Sequence, residues 1–132
     1  MIKGSVHSWG DSPITGAPRV SITVVNISEP NRTLTVNAIV DTAFTAHLTL
    51  PLASIEKLGL LSRGKQPAVL ANGMVGDFPV YAGLVSWDGH RRLIPIFESD
   101  SEPLLGMAML WGSRLIVDAW EGGDVVIKEV PH

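Results

Sequence analysis

The segment of this chain best equipped for chemistry runs Ala38-Ile39-Val40-Asp41-Thr42-Ala43-Phe44-Thr45-Ala46-His47-Leu48-Thr49-Leu50-Pro51. An acidic residue ends an apolar run, and small hydroxyl and alanine residues follow at once. A carboxylate buried there costs free energy unless hydrogen bonds compensate. The backbone N–H groups and threonine hydroxyls just after Asp41 are near enough to supply them. A carboxylate held this way is a candidate general base. The same spacing also suits an aspartate that only caps the turn leaving a strand, and spacing alone leaves both readings open.

Other chemistry is thinly represented. Asp11, Asp77, Asp88, Asp100, Asp118 and Asp124 lack the context of an apolar strand followed by Thr or Ser. Asp88 reads as a turn residue beside Gly89, and Asp118 as a strand residue with a structural role. His7, His47, His90 and His132 share no metal-ligand spacing, so no metal site is expected. His47 lies near enough to Asp41 in sequence to modulate it, or serves as a surface or structural histidine. The chain has no cysteine, which excludes a disulfide framework, a thiolate zinc site and a cysteine nucleophile. No Gly-rich phosphate loop follows a strand and Gly-x-Ser-x-Gly is absent, so no cofactor is expected.

The elements that must position Asp41 follow from composition and pattern. The chain has 132 residues, 45% of them hydrophobic and 17% charged, with a formal charge of −3. That length suits one domain with a core of its own. Lys and Arg are scattered among acids, which argues against nucleic-acid binding. No apolar run approaches the roughly 20 residues of a membrane-spanning helix. Met1-Ile2-Lys3-Gly4-Ser5 leads into polar residues and does not read as a signal peptide, so a cytoplasmic location is expected.

Apolar runs are short and mostly β-branched. Val20–Ile27 and Leu34–Val40, separated by Glu29-Pro30-Asn31, predict a hairpin. Asn72-Gly73 (between the runs Pro67–Leu70 and Val75–Tyr81), Asp88-Gly89 and Gly122-Gly123 predict three more, the first two with turn residues that tolerate positive φ. Pro51–Gly59 predicts a short helix with Leu52, Ile55 and Leu58 on one face and Gly59 as its stop. Pro103–Gly112 reads as a strand and then a short helix, with Met107, Met109, Leu110 and Trp111 in the core. Trp87 is expected to pack on a sheet face, and His90-Arg91-Arg92 to form a solvated patch at a hairpin tip. The pattern predicts an all-β domain with one or two short helices, closed or nearly closed as a β-barrel. Residues 1–19 are expected to be loosely ordered, with the domain over 20–132.

Val40-Asp41-Thr42-Ala43 resembles the Asp-Thr/Ser-Gly signature of aspartic proteases, and Ile39 to Pro51 resembles the small bacterial retropepsin-like (clan AA) members. Leu104-Leu105-Gly106 is similar to their second mark, an apolar pair followed by glycine. Leu70-Ala71-Asn72-Gly73, followed by a strand pair around Trp87-Asp88-Gly89, is similar to their flap region. These marks occur in family order, and with the final Gly-Gly hairpin the resemblance spans roughly residues 20 to 130.

The resemblance implies a retropepsin-like closed barrel, one lobe per chain, that hydrolyses peptide bonds. In that chemistry two carboxylates share one proton: one activates a water and the other polarises the scissile carbonyl. The motif occurs once here, so the second aspartate would come from a second copy across a two-fold axis. The implied partners are a homodimer mate and a peptide or protein substrate, with no cofactor, nucleic acid or membrane. Asp41 would be catalytic, Thr42 would hydrogen-bond across the dimer, and Ala43 would offer its N–H to Asp41. Ala71, Asn72 and Gly73 would form the flap tip over a bound peptide. Leu104, Leu105 and Gly106 would support the active-site loop from behind.

Ala43 and Ala46 stand where glycine is usual, and His47 where an aromatic residue is usual. An alanine at position 43 is mild if φ is negative and strained if φ is positive. The competing reading is a module of the same fold that dimerises or binds peptides without cleaving them.

Overall fold

The computed structural model describes residues 1–11, 14–69, 73 and 75–131. In chain order its elements are β1 (Ile2–Ser8), β2 (Gly16–Val25), β3 (Thr33–Val40), β4 (Leu48–Leu50), α1 (Leu52–Leu58), β5 (Leu61–Val69), β6 (Val75–Trp87), β7 (His90–Glu98), β8 (Leu104–Leu105), α2 (Met107–Leu110), β9 (Ser113–Val117) and β10 (Asp124–Glu129). The protein is predominantly β, with two short helices. The strands form one sheet in the order β5-β6-β7-β4-β8-β3-β2-β1-β10-β9, and β6 also pairs with β2. That extra pairing, Thr23↔Ser86 to Val25↔Leu84, bends the sheet back on itself. Val20, Ile22, Val24, Leu48, Leu50, Val85, Ile94, Ile96, Leu105 and Met109 are buried in the main core cluster.

The β2–β3 hairpin spans the Glu29-Pro30-Asn31 turn, with Val25 opposite Thr33. Trp87 pairs with His90 across Asp88 and Gly89, whose φ values are +49° and +84°. Both turn residues are left-handed, as the twist of a two-residue hairpin requires. Trp87 is buried, as its place before that turn suggested. β9 and β10 pair across the Gly122-Gly123 turn.

Four features depart from the sequence reading. Residues 1–19 are largely strand: β1 pairs with β2 from Ser5↔Arg19 to Ser8↔Gly16 and with β10 from Ile2↔Ile127 to Ser5↔Asp124. Outward Lys3, Ser5 and His7 mask that strand in the sequence. Gly4 permits it, because a Cβ there would lie 1.9 Å from the Arg19 carbonyl oxygen. β5 begins at Leu61, earlier than Pro67, and apart from Ala68 it is exposed throughout, so it carries no apolar alternation. Ile55 and Leu58 of α1 are buried, but Leu52 projects from the first turn and is exposed. Met109 and Leu110 join the core, whereas Trp111 ends α2 and is 77% exposed.

α1 shows how the hairpin supports a helix too short to stand alone. Gly59 takes φ +64° and donates to the Glu56 carbonyl at 3.0 Å, a left-handed helix end. Buried Asn26, at the end of β2, donates through Nδ2 to the carbonyls of Leu58 at 2.8 Å and Gly59 at 3.1 Å. Its Oδ1 accepts the N–H groups of Ser28 at 2.8 Å and Glu29 at 2.9 Å. Arg32 Nε adds a bond to the Lys57 carbonyl at 2.9 Å. One amide therefore shapes the hairpin turn and ends the helix. Asn26→Leu, similar in size but without polar atoms, is expected to lower stability by about 2–3 kcal/mol through the groups it leaves unpaired. Urea unfolding measures it; a change under about 0.5 kcal/mol would contradict the assignment.

Among the described residues, no helix is long and apolar enough to cross a membrane.

Candidate active site

β3 delivers Asp41. Its last residues, Ala38 and Val40, are buried, and the chain then turns outward: Asp41 is half-buried, and Thr42 and Ala43 are exposed. Asp41 Oδ1 accepts the Ala43 N–H at 2.9 Å, and the Asp41 carbonyl accepts the Phe44 N–H at 3.2 Å. The carboxylate thus closes its own turn, a geometry that a capping aspartate and a catalytic one share. Among the described non-glycine residues only Asp88 has positive φ, so Ala43 and Ala46 stand outside the left-handed region. The extra methyl of Ala43 therefore meets no backbone strain.

The structure around this turn goes further than a cap needs. β4 resumes at Leu48, and β8 lies between β3 and β4, the two strands that the turn connects. β8 runs parallel to β3, with Ile39↔Leu104 and Val40↔Leu105, and antiparallel to β4 at Leu48↔Leu105. Four backbone bonds stitch the loop to the segment behind it. The Asp41 N–H donates to the Leu105 carbonyl at 2.9 Å, and the Gly106 N–H to the His47 carbonyl at 3.0 Å. Met107 donates to the Phe44 carbonyl at 2.8 Å, and Ala108 to the Ala46 carbonyl at 3.1 Å. Both ends of the loop and its middle are held by one short stretch of chain.

Two further residues secure the loop. Phe44 is fully buried and meets Phe97 edge-on, with ring centroids 6.3 Å apart and planes at 84°. Thr49 is fully buried between Leu48 and Leu50, and its hydroxyl accepts the Leu104 N–H at 2.9 Å. The signals for both were in the sequence: an aromatic residue inside a polar loop, and a hydroxyl flanked by leucines. Thr49→Val, which keeps the shape and removes the acceptor, is expected to cost about 1–3 kcal/mol, with Thr49→Ser much milder. Denaturant unfolding of the pair tests this; a loss in Thr49→Ser with none in Thr49→Val would mean that the methyl group, not the hydroxyl, matters.

His47 is half-buried. Burial, and then the nearby Arg92 guanidinium, hold its imidazole below the ordinary histidine value. The folded chain thus favours neutral His47. As pH falls through about 6.5 the unfolded chain takes up this proton first, so this group makes stability fall with acidification. Arg92, expected in a solvated patch, donates to the Met109 carbonyl at 3.2 Å and so ties β7 to α2.

Of the proposed flap residues, Ala71 and Asn72 lie outside the described residues. Gly73 is exposed with φ +80°, in the link between β5 and β6 that closes at Val69↔Val75. Leu104, Leu105 and Gly106 lie directly behind the Asp41 loop. Among the described residues, no group of three His, Asp or Glu side chains is placed to hold a metal ion.

Comparisons with protein-family models, with curated proteins and with solved structures return no match.

Proposed function

We propose that two copies of this chain form an aspartic endopeptidase, with the Asp41 carboxylates meeting across a two-fold axis. The observation that carries this reading is the bracing of the Asp41 turn: a separate strand, β8, is inserted between the two strands the turn connects and bonded along its length. A turn that only reverses the chain needs its own hydrogen bonds and no such support. A dyad needs its carboxylates held to a fraction of an ångström, which requires rigid surroundings. On this reading the returning sheet is a closed barrel of retropepsin kind, one lobe per chain.

The chemistry follows from pairing. Two carboxylates brought together cannot both ionise easily, so they hold one proton between them. The ionised partner draws a proton from a water, which attacks the peptide carbonyl, while the protonated partner donates a hydrogen bond to the carbonyl oxygen. The Ala43 N–H, already bonded to Asp41 Oδ1, fixes the carboxylate plane. Among the described residues the Thr42 hydroxyl makes no bond within its own chain, and it is exposed where a second copy would approach. The β5–β6 hairpin would cover a bound peptide. A cytoplasmic setting is part of the proposal.

The test is cleavage of unstructured peptides between about pH 4 and 7, where a shared-proton dyad is singly protonated. Activity is expected to be blocked by a pepstatin-like transition-state analogue and to rise more steeply than linearly with chain concentration until dimers saturate. A strict monomer in sedimentation at all accessible concentrations would exclude the shared site. A dimer that binds peptides without cleaving them would select the binding-module reading.

A further inference from the structure

A cavity of about 500 Å³ opens between the β1–β2 link and the segment joining β9 to β10. None of its described lining residues belongs to the Asp41 loop. Val6, Pro18 and Val117 form its apolar wall, and Trp120, 66% exposed, stands at its edge. The volume lies in the range of small-ligand sites, which combine apolar walls with a few placed polar groups.

The polar group that sets the chemistry is Glu121, which carries the one charge among the described lining residues. The Ser8 N–H donates to its Oε2 at 2.5 Å, which fixes the carboxylate at the lip. Hydrogen bonds from Ser8, and then nearby His7, hold it below the usual carboxylate range, so it is ionised at neutral pH. Among the described residues Glu121 has no ion-pair partner. His7 is engaged with the Ser5 hydroxyl at 2.9 Å, and Arg19 with Glu102 at 2.9 Å. An unpaired carboxylate beside an exposed indole, over an apolar hollow, favours a cation on an apolar stem.

We propose that this cavity binds ligands that carry a single ammonium group on an apolar stem, the ammonium at Glu121 and the stem among Val6, Pro18, Val117 and Trp120. The ammonium can come from a free amine or from a lysine side chain, and matched pairs of probes separate the sources. Phenethylamine is compared with 2-phenylethanol, and Nα-acetyl-lysine methylamide with its norleucine counterpart. Binding is followed by NMR through the Trp120 indole and the Val6 and Val117 methyl signals.

In at least one pair the ammonium member is expected to bind about fivefold or more tightly than its neutral partner. The pair with the larger ratio identifies the source. Glu121→Gln is expected to bring the ratio near one, since the amide oxygen still accepts the Ser8 N–H but the charge is gone. Trp120→Ala is expected to weaken both members of a pair while preserving their ratio. Equal affinities within both pairs, a ratio that survives Glu121→Gln, or no response at these signals at millimolar probe would each overturn the proposal.

Discussion

Asp41→Asn is expected to abolish peptide cleavage, lowering the rate by roughly a thousandfold or more, the scale on which positioned acid–base groups act. The substitution is nearly isosteric. The amide oxygen can still accept the Ala43 N–H that Asp41 Oδ1 accepts at 2.9 Å, and the backbone bond from Asp41 to Leu105 is untouched. The fold and the proposed dimer should therefore survive, and thermal melting and sedimentation check that they do. What disappears is the group proposed to ionise and activate water.

A mixing experiment then isolates the sharing of the site. If the variant and the parent chain pair at random in equal amounts, about one quarter of the dimers carry two intact aspartates. Activity per parent chain should then fall to about half. A site contained within one chain would show no loss on mixing. Activity surviving Asp41→Asn would end the proposed mechanism, whatever the state of association.

Gly106→Ala is expected to be the most damaging single methyl addition near the site. A Cβ there would lie 2.3 Å from the Ala46 carbonyl oxygen and 2.6 Å from both the Phe44 carbonyl oxygen and its ring carbon Cδ2. Two of the three are backbone atoms of the Asp41 loop, so no side-chain rotation relieves the clash. Gly106 has φ −103°, where alanine is unstrained, so the effect is crowding alone. Overpacking of this kind costs about 3 kcal/mol. For a domain of this size that is a drop of roughly 10 °C in melting temperature.

The damage should also be directed. Relief requires the loop to move off β8, which shifts Asp41. Cleavage is therefore expected to fall even at temperatures where the variant is fully folded, with kcat affected more than KM. A variant that melts within about 2 °C of the parent would show that the loop yields freely and is not held as described.

Much of the architecture was readable because it rests on local rules. Asp88-Gly89 adopts two positive φ values, which Asp-Gly, like Asn-Gly, does at little cost. Gly59 ends α1 for the same reason. The alternation of Val20, Ile22 and Val24 marks the buried face of β2. β1 and the part of β5 before Pro67 escape the sequence reading because their outward residues are polar, and β1 also depends on β10, with Ile2 opposite Ile127. The burial of Leu52 and Trp111 was misjudged for a related reason. Helical spacing states which residues share a face, but not where the covered surface ends.

The candidate site divides in the same way. Asp41 could be picked out by its place at the end of an apolar run, whereas the roles of Thr42 and Ala43 and the Leu104-Leu105-Gly106 segment came from the resemblance to retropepsin-like proteases. Their meeting could not be read from the sequence. It depends on a two-residue strand, β8, placed between β3 and β4 by a connection of more than fifty residues from Leu50 to Leu104. Residue types set which groups could react. Long-range strand pairing, whose free energy comes from burying the sheet face and not from any local preference, set where those groups stand.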